Sequence, residues 1–114
     1  MENTPPISNP RTHLLRHAPD APVLYFSPER LQATARAFRQ GFPGLVTYAV
    51  KANPGEEVLA NLARAGITAF DVASPAEMRA VRAVAPEAAL HYNNPVRSPA
   101  EVRIAAEMGV RSFS

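Results

Sequence analysis

Apolar and polar positions along this chain change their period several times, and those changes mark out its elements. The run Leu45-Val46-Thr47-Tyr48-Ala49-Val50 is apolar or β-branched on both alternating faces. That is the pattern of a strand covered on both sides, as in a parallel sheet. From Leu45 onward a unit of strand, loop and helix recurs about every 20 to 23 residues, near the length of one βα unit. Strands are predicted over 45 to 51, 68 to 73, 89 to 93 and 111 to 114. The intervening helices each carry one apolar stripe: Val58, Leu59 and Leu62, then Met78 and Val81, then Val102, Ala105 and Ala106. Each helix therefore has one side to bury.

The punctuation repeats as well. Ser74-Pro75-Ala76-Glu77 and Ser98-Pro99-Ala100-Glu101 are the same tetrapeptide. In each, serine can cap the third helical N–H, proline occupies the first turn, and glutamate can reach back as a capping box. Gly66 and Gly109 stand where a left-handed C-cap residue is wanted before the next strand. Upstream, Val23-Leu24-Tyr25-Phe26 reads as a short strand, and Ser27-Pro28-Glu29 opens a helix with a Leu31, Ala35, Phe38 stripe that Gly41 and Gly44 end. Residues 1 to 22, with Pro5, Pro6, Pro10, Pro19 and Pro22, read as an extended or mobile lead-in. The chain thus divides into a lead-in over 1 to 22, a strand and helix over 23 to 44, and a βα series over 45 to 114.

Strands alternating with single-sided helices mean an α/β fold with a parallel sheet, either a (β/α)8 barrel or an open doubly wound sheet. No glycine-rich phosphate loop follows any strand, which weighs against a nucleotide-binding open sheet. Four strands do not close an eight-stranded barrel, so a barrel reading makes this the front of a longer protein. An unpaired sheet edge and uncovered helix faces would leave the isolated piece marginal.

Composition adds exclusions. At 114 residues and 46% hydrophobic the chain can hold one modest core. It has no cysteine, so no disulfide and no cysteine-ligated metal. Net charge is +2 with the basic residues scattered, which reads as solvated helix surface and not a nucleic-acid groove. No apolar run approaches the roughly 18 residues of a membrane span, and the N-terminus lacks the regions of a signal peptide. A cytoplasmic protein without membrane or nucleic-acid partners is the default expectation.

Chemistry concentrates where strands open into loops. Lys51 follows an apolar strand, shares its alternating face with Ala49, Thr47 and Leu45, and precedes the strand-breaking Asn53-Pro54-Gly55. An amine desolvated at a barrel mouth becomes nucleophilic; the alternative is a lysine that snorkels to water. Asp71 lies one βα unit later, on the face of Ala69 and Ala73, where it could hold or orient the amine or pair with a neighbouring loop. Glu77 is accounted for by its cap. Asn94 could fix a loop or simply mark a turn. His91, inside a predicted strand and without a second ligand at metal spacing, reads as a packed or hydrogen-bonded core histidine; His13 and His17 carry no signal, and no metal site is expected.

Three segments carry a resemblance: Tyr48-Ala49-Val50-Lys51-Ala52-Asn53-Pro54, then Phe70-Asp71-Val72-Ala73-Ser74 with Glu77, then Tyr92-Asn93-Asn94-Pro95-Val96-Arg97. In order and spacing they resemble motifs of the fold-type III pyridoxal-phosphate-dependent decarboxylases, most of all the ornithine and lysine decarboxylases. The likeness runs from about Pro22 to Ser114. It implies an alanine-racemase-like (β/α)8 barrel, here incomplete, and pyridoxal phosphate as cofactor. Lys51 would carry it as a Schiff base, with Ala49 beside it as cofactor-binding and Asp71 as the second catalytic residue. It also implies an amino-acid substrate, ornithine or lysine foremost, and a homodimer whose remaining site groups lie beyond Ser114. Diaminopimelate decarboxylase is a near relative by its second motif. A racemase would continue the lysine motif differently from Pro54-Gly55-Glu56-Glu57. A non-catalytic relative that keeps the fold, as a cofactor carrier or regulator, is the alternative from another functional class.

Overall fold

The computed structural model describes Ile7 and residues 9–114. Four short strands lie side by side in chain order: β1 (Tyr48–Ala49), β2 (Ala69–Val72), β3 (Ala89–Tyr92) and β4 (Ser112–Phe113). Every neighbouring pair is parallel, with Ala49 opposite Asp71, Asp71 opposite His91, and His91 opposite Ser112. A doubly wound sheet reverses its strand order at a switch point. A sheet that counts steadily upward, each strand joined to the next by one helix, has the order of a (β/α) barrel. The four described strands show that order and no switch point, which is the arrangement of part of a barrel.

The crossovers are α3 (Glu56–Arg64), α4 (Pro75–Val84) and α5 (Pro99–Glu107), and α2 (Pro28–Gly41) packs beside α3. Phe70, Val72, Leu90 and Tyr92 form one buried cluster with the helix residues Leu59, Leu62, Met78, Val81 and Ala105. Because side chains alternate along a strand, this assigns the helix-facing side of the sheet. Ala49, Asp71, His91 and Ser112 occupy the opposite side, the barrel interior.

The caps form as their chemistry dictates. Ser27, Ser74 and Ser98 each accept the backbone N–H three residues on, from Arg30, Glu77 and Glu101 at 3.2–3.3 Å. Ser98 completes the box, since Glu101 accepts from the Ser98 N–H at 3.1 Å. At Ser74 the box stays half made: Glu77 takes the serine hydroxyl at 3.3 Å instead of its backbone N–H. Gly66 and Gly109 turn the chain after α3 and α5 with φ of +93° and +80°. A β-carbon at Gly66 would also run into the Arg39 guanidinium, which donates to the Ala65 carbonyl at 3.1 Å. Gly66→Ala is expected to lower unfolding stability by about 1–2 kcal/mol, the scale of forcing a side chain into left-handed backbone, as a denaturant melt would report.

Four expectations change. Within the lead-in, residues 10–17 form the helix α1 (Pro10–His17); Asn9 Oδ1 accepts from Arg11 N at 2.8 Å, and Pro10 sits in the first turn, where proline initiates helices. Its prolines made this stretch read as extended; residues 1–6 and 8 lie outside the described residues. Residues 23–26 form no strand: no neighbour offers a ladder, and Leu24 is 94% exposed. Phe38 is off the buried stripe at 64% exposed, while Ala35 is buried. The first barrel strand pairs only at Tyr48 and Ala49, and residues Val50–Ala52 close into a 3-10 turn. No helix of the described residues is long and apolar enough to cross a membrane.

Candidate active site

The 3-10 turn places Lys51 at the C-terminal edge of the sheet, the edge at which barrel enzymes carry their chemistry. Val50 anchors the turn, fully buried beneath it. Asn53 closes it: its N–H donates to the Val50 carbonyl at 3.1 Å, its own carbonyl accepts from the Tyr48 hydroxyl at 3.2 Å, and its Oδ1 accepts from Gly55 N at 3.0 Å. Tyr48 is itself braced edge-on against Phe70, with ring centroids 6.4 Å apart. The backbone under the lysine is thus held on both sides.

Lys51 itself is exposed. Among the described residues no facing strand covers the inner side of the sheet, so the amine stands open to solvent here. The β alternation also ends at Val50, so Lys51 is carried by a turn and not by the strand face shared with Ala49, Thr47 and Leu45. Ala49 is half-buried on the inner face directly beneath, opposite Asp71. Asp71 is half-buried, and its Oδ2 accepts from the Thr47 hydroxyl at 3.1 Å. Its partner is therefore the segment leading into β1 and not the lysine. Asn94 takes both of its foreseen parts: Nδ2 donates to the Ala73 carbonyl at 2.9 Å, tying the loop after β3 to the end of β2, and Oδ1 accepts from Val96 N at 3.1 Å.

His91 is half-buried on the inner face beside Asp71, and its Nε2 is buried without a hydrogen-bond partner among the described residues. The alternation of buried Leu90 and Tyr92 around it was the available signal.

On the helix side, Tyr92 is fully buried, and neither its hydroxyl nor Glu77 Oε1 has a hydrogen-bond partner among the described residues. Burial pushes the Tyr92 phenol above its ordinary value, and the nearby Glu101 carboxylate adds to the shift. The Arg97 guanidinium covers the Tyr92 ring at 5.2 Å and donates to the carbonyls of Tyr92 and Ser114, fastening the ends of β3 and β4. Tyr92→Phe removes a buried hydroxyl that lies beside the Glu101 carboxylate without meeting full hydrogen-bond geometry, so stability is expected to change by no more than about 1 kcal/mol. The pH dependence follows from the raised phenol. Above pH ~10 the unfolded chain releases this proton while the folded chain keeps it, so stability falls as pH climbs towards the folded value. The alkaline loss is expected to be shallower in Tyr92→Phe, measured by thermal melts from pH 8 to about 11.

One further signal was present in the sequence. Of the twelve basic residues, eleven are arginines; Lys51 is the only lysine in the chain. Arginine supplies cationic surface everywhere else, and its guanidinium cannot act as an amine nucleophile. The single primary side-chain amine stands at the sheet edge.

The family described as pyridoxal-dependent decarboxylase, pyridoxal binding domain, matches residues 28–114. The chain belongs to this family. Among curated relatives it is 35% identical over 100 residues to a diaminopimelate decarboxylase of Zymomonas mobilis and 35% over 95 residues to a lysine/ornithine decarboxylase of Selenomonas ruminantium. Each match covers 82% of this chain and 24% of the relative, so the chain spans about a quarter of their length. A lysine decarboxylase structure from Selenomonas ruminantium superposes with a TM-score of 0.72 at 30% identity, over 90% of this chain and 27% of that one. A lysine/ornithine decarboxylase from Vibrio vulnificus, complexed with putrescine, shares the fold with a TM-score of 0.74 at 22% identity, over 90% of this chain and 28% of that one. The two curated relatives stand at equal identity, so the comparison does not single out ornithine. This stretch is the pyridoxal-binding part of its family's barrel, and its residues fit that cofactor: one primary amine, a neighbouring carboxylate, and alanines at 49, 69, 73 and 89 that leave the inner face open.

Proposed function

We propose that the protein to which this chain belongs decarboxylates a basic amino acid, with Lys51 as the residue that holds pyridoxal phosphate covalently. The observation that carries this reading is the only lysine of the chain, fixed by a braced turn at the C-terminal edge of a pyridoxal-binding domain. Lys51 would hold the cofactor through its side-chain nitrogen, the one primary side-chain amine of the chain. When bound, pyridoxal phosphate supplies the electron sink for the pair left behind as carbon dioxide departs. The chain's own residues provide the rest. The Tyr48–Asn53 brace keeps the amine at the mouth, Ala49 leaves room beneath it, and Asp71 places a carboxylate opposite Ala49 on the same inner face.

Ornithine and lysine are the favoured substrates, since relatives carry both in their names and one is complexed with putrescine, the diamine that ornithine becomes on losing its carboxylate. Diaminopimelate follows from the other relative. A homodimer belongs to the same proposal. Carbon dioxide release by the complete protein from ornithine, lysine and diaminopimelate tests the reading. Release from one of them is the expected result; cofactor binding with no release from any would make the protein a non-catalytic homologue.

A further inference from the structure

Barrel interiors are ordinarily filled by layers of bulky branched side chains. The inner side of this sheet is lined differently: Thr47 and Ala49 before and on β1, Ala69 and Asp71 on β2, Ala89 and His91 on β3, Ser112 on β4. The parallel register draws Ala49, Asp71, His91 and Ser112 into a single row across all four strands. Alanine and serine stand at its ends, so Asp71 and His91 are its two long side chains. The row lies directly under the turn that carries Lys51, two residues beyond Ala49.

Within the row the two differ in what they already hold. Asp71 is engaged by the Thr47 hydroxyl at 3.1 Å. The His91 imidazole has Nε2 shut off from water with no partner among the described residues. A buried ring nitrogen left unpaired is costly, and native structures rarely keep one without a purpose or a missing partner. Leu90 and Tyr92 on either side of it face the helices; His91 faces the other way, towards the side that carries Ala49 and Asp71 beneath the Lys51 turn.

We propose that His91 is a cofactor-binding residue, its Nε2 completed by a polar atom of the pyridoxal ring held at Lys51. This deepens the functional reading above and rests on it. The imidazole then acts as a fixed hydrogen-bonding group on the floor of the site, and the small residues flanking it are what allow the ring to approach.

The test is titration of the complete protein with pyridoxal phosphate, read as the dissociation constant and as the absorbance spectrum of the bound form, in His91→Leu, His91→Gln and His91→Asn. Glutamine can place a polar atom near the Nε2 position, whereas asparagine reaches only towards Nδ1. His91→Leu and His91→Asn are expected to bind at least tenfold more weakly with an altered absorbance band. His91→Gln is expected to recover most of the affinity and the native band. Pyridoxal without its phosphate is expected to lose affinity by the same factor, because the contact is to the ring. Should His91→Leu not fold, the Gln and Asn pair carries the comparison. Binding within twofold of the parent in His91→Leu with an unchanged spectrum, or equal losses in Gln and Asn, would overturn the proposal. A parent protein that forms no covalent cofactor complex, or one that keeps it in Lys51→Ala, would instead overturn the reading of Lys51 and this inference with it.

Discussion

Lys51→Ala is expected to abolish the absorbance change that pyridoxal phosphate produces in the complete protein. Residual turnover should be no more than about one part in a thousand, a scale that loss of a positioned proton-transfer group alone can reach. The argument does not rest on charge. Lys51→Arg keeps a cation on the same braced turn, and its guanidinium stays protonated at any working pH. It is expected to be as defective as the alanine variant. The turn should survive either change, because its hydrogen bonds run through Val50, Asn53, Gly55 and the Tyr48 hydroxyl and none through the lysine side chain. Circular dichroism and melting temperature should therefore match the parent, which separates loss of chemistry from loss of fold. Retained covalent cofactor in either variant would sink the assignment.

Phe70→Ala is expected to bring the largest loss of stability. The ring is fully buried at the centre of the helix-facing side of the sheet, edge-on to Tyr48 and within the cluster that includes Leu59, Leu62 and Met78. Truncating such a side chain costs about 3–5 kcal/mol, transfer and cavity terms together. Small domains hold only about 5–15 kcal/mol in all. The expected result is a denaturant midpoint reduced by a third or more, or no cooperative transition at all. The brace on Asn53 should loosen too, since Tyr48 leans on the same ring. Phe38→Ala serves as the comparison: at 64% exposed, its change should stay within about 0.5 kcal/mol. Equal losses at the two positions would show that the buried cluster is wrongly placed.

Much of the fold could be read from local rules. The repeated serine caps, the two left-handed glycines and the one-sided helices each follow from interactions within a few residues, and each stands where those rules put it. The misread parts are those that depend on a partner. Residues 23–26 have strand composition but no ladder to join, and Phe38 completes a stripe on paper while the packing against α3 uses Ala35. Proline count hid α1, although a proline after an asparagine cap is itself a helix start.

The placement of the candidate residues was legible to the same extent. Lys51, Asp71 and Asn94 mark the ends of successive strands in the sequence, and the structure brings those ends to one edge of one sheet. What local pattern could not supply was pairing across strands. Register puts His91 beside Asp71, and a Thr47 hydroxyl, not the lysine, occupies the aspartate. The 3-10 turn also lay out of reach, because Val50 continues the apolar run while its backbone has already left the sheet.

Borohydride reduction of the complete protein with pyridoxal phosphate, followed by tryptic digestion and mass measurement, bears most directly on the central claim. Reduction turns the imine into a stable secondary amine that trypsin does not cut. With every other basic residue of this stretch an arginine, the modified peptide is expected to run from residue 40 to 64, between Arg39 and Arg64, and to carry one added phosphopyridoxyl group on Lys51. A peptide 52–64 released by cleavage after an unmodified Lys51, with the cofactor's mass found elsewhere in the protein, would contradict it.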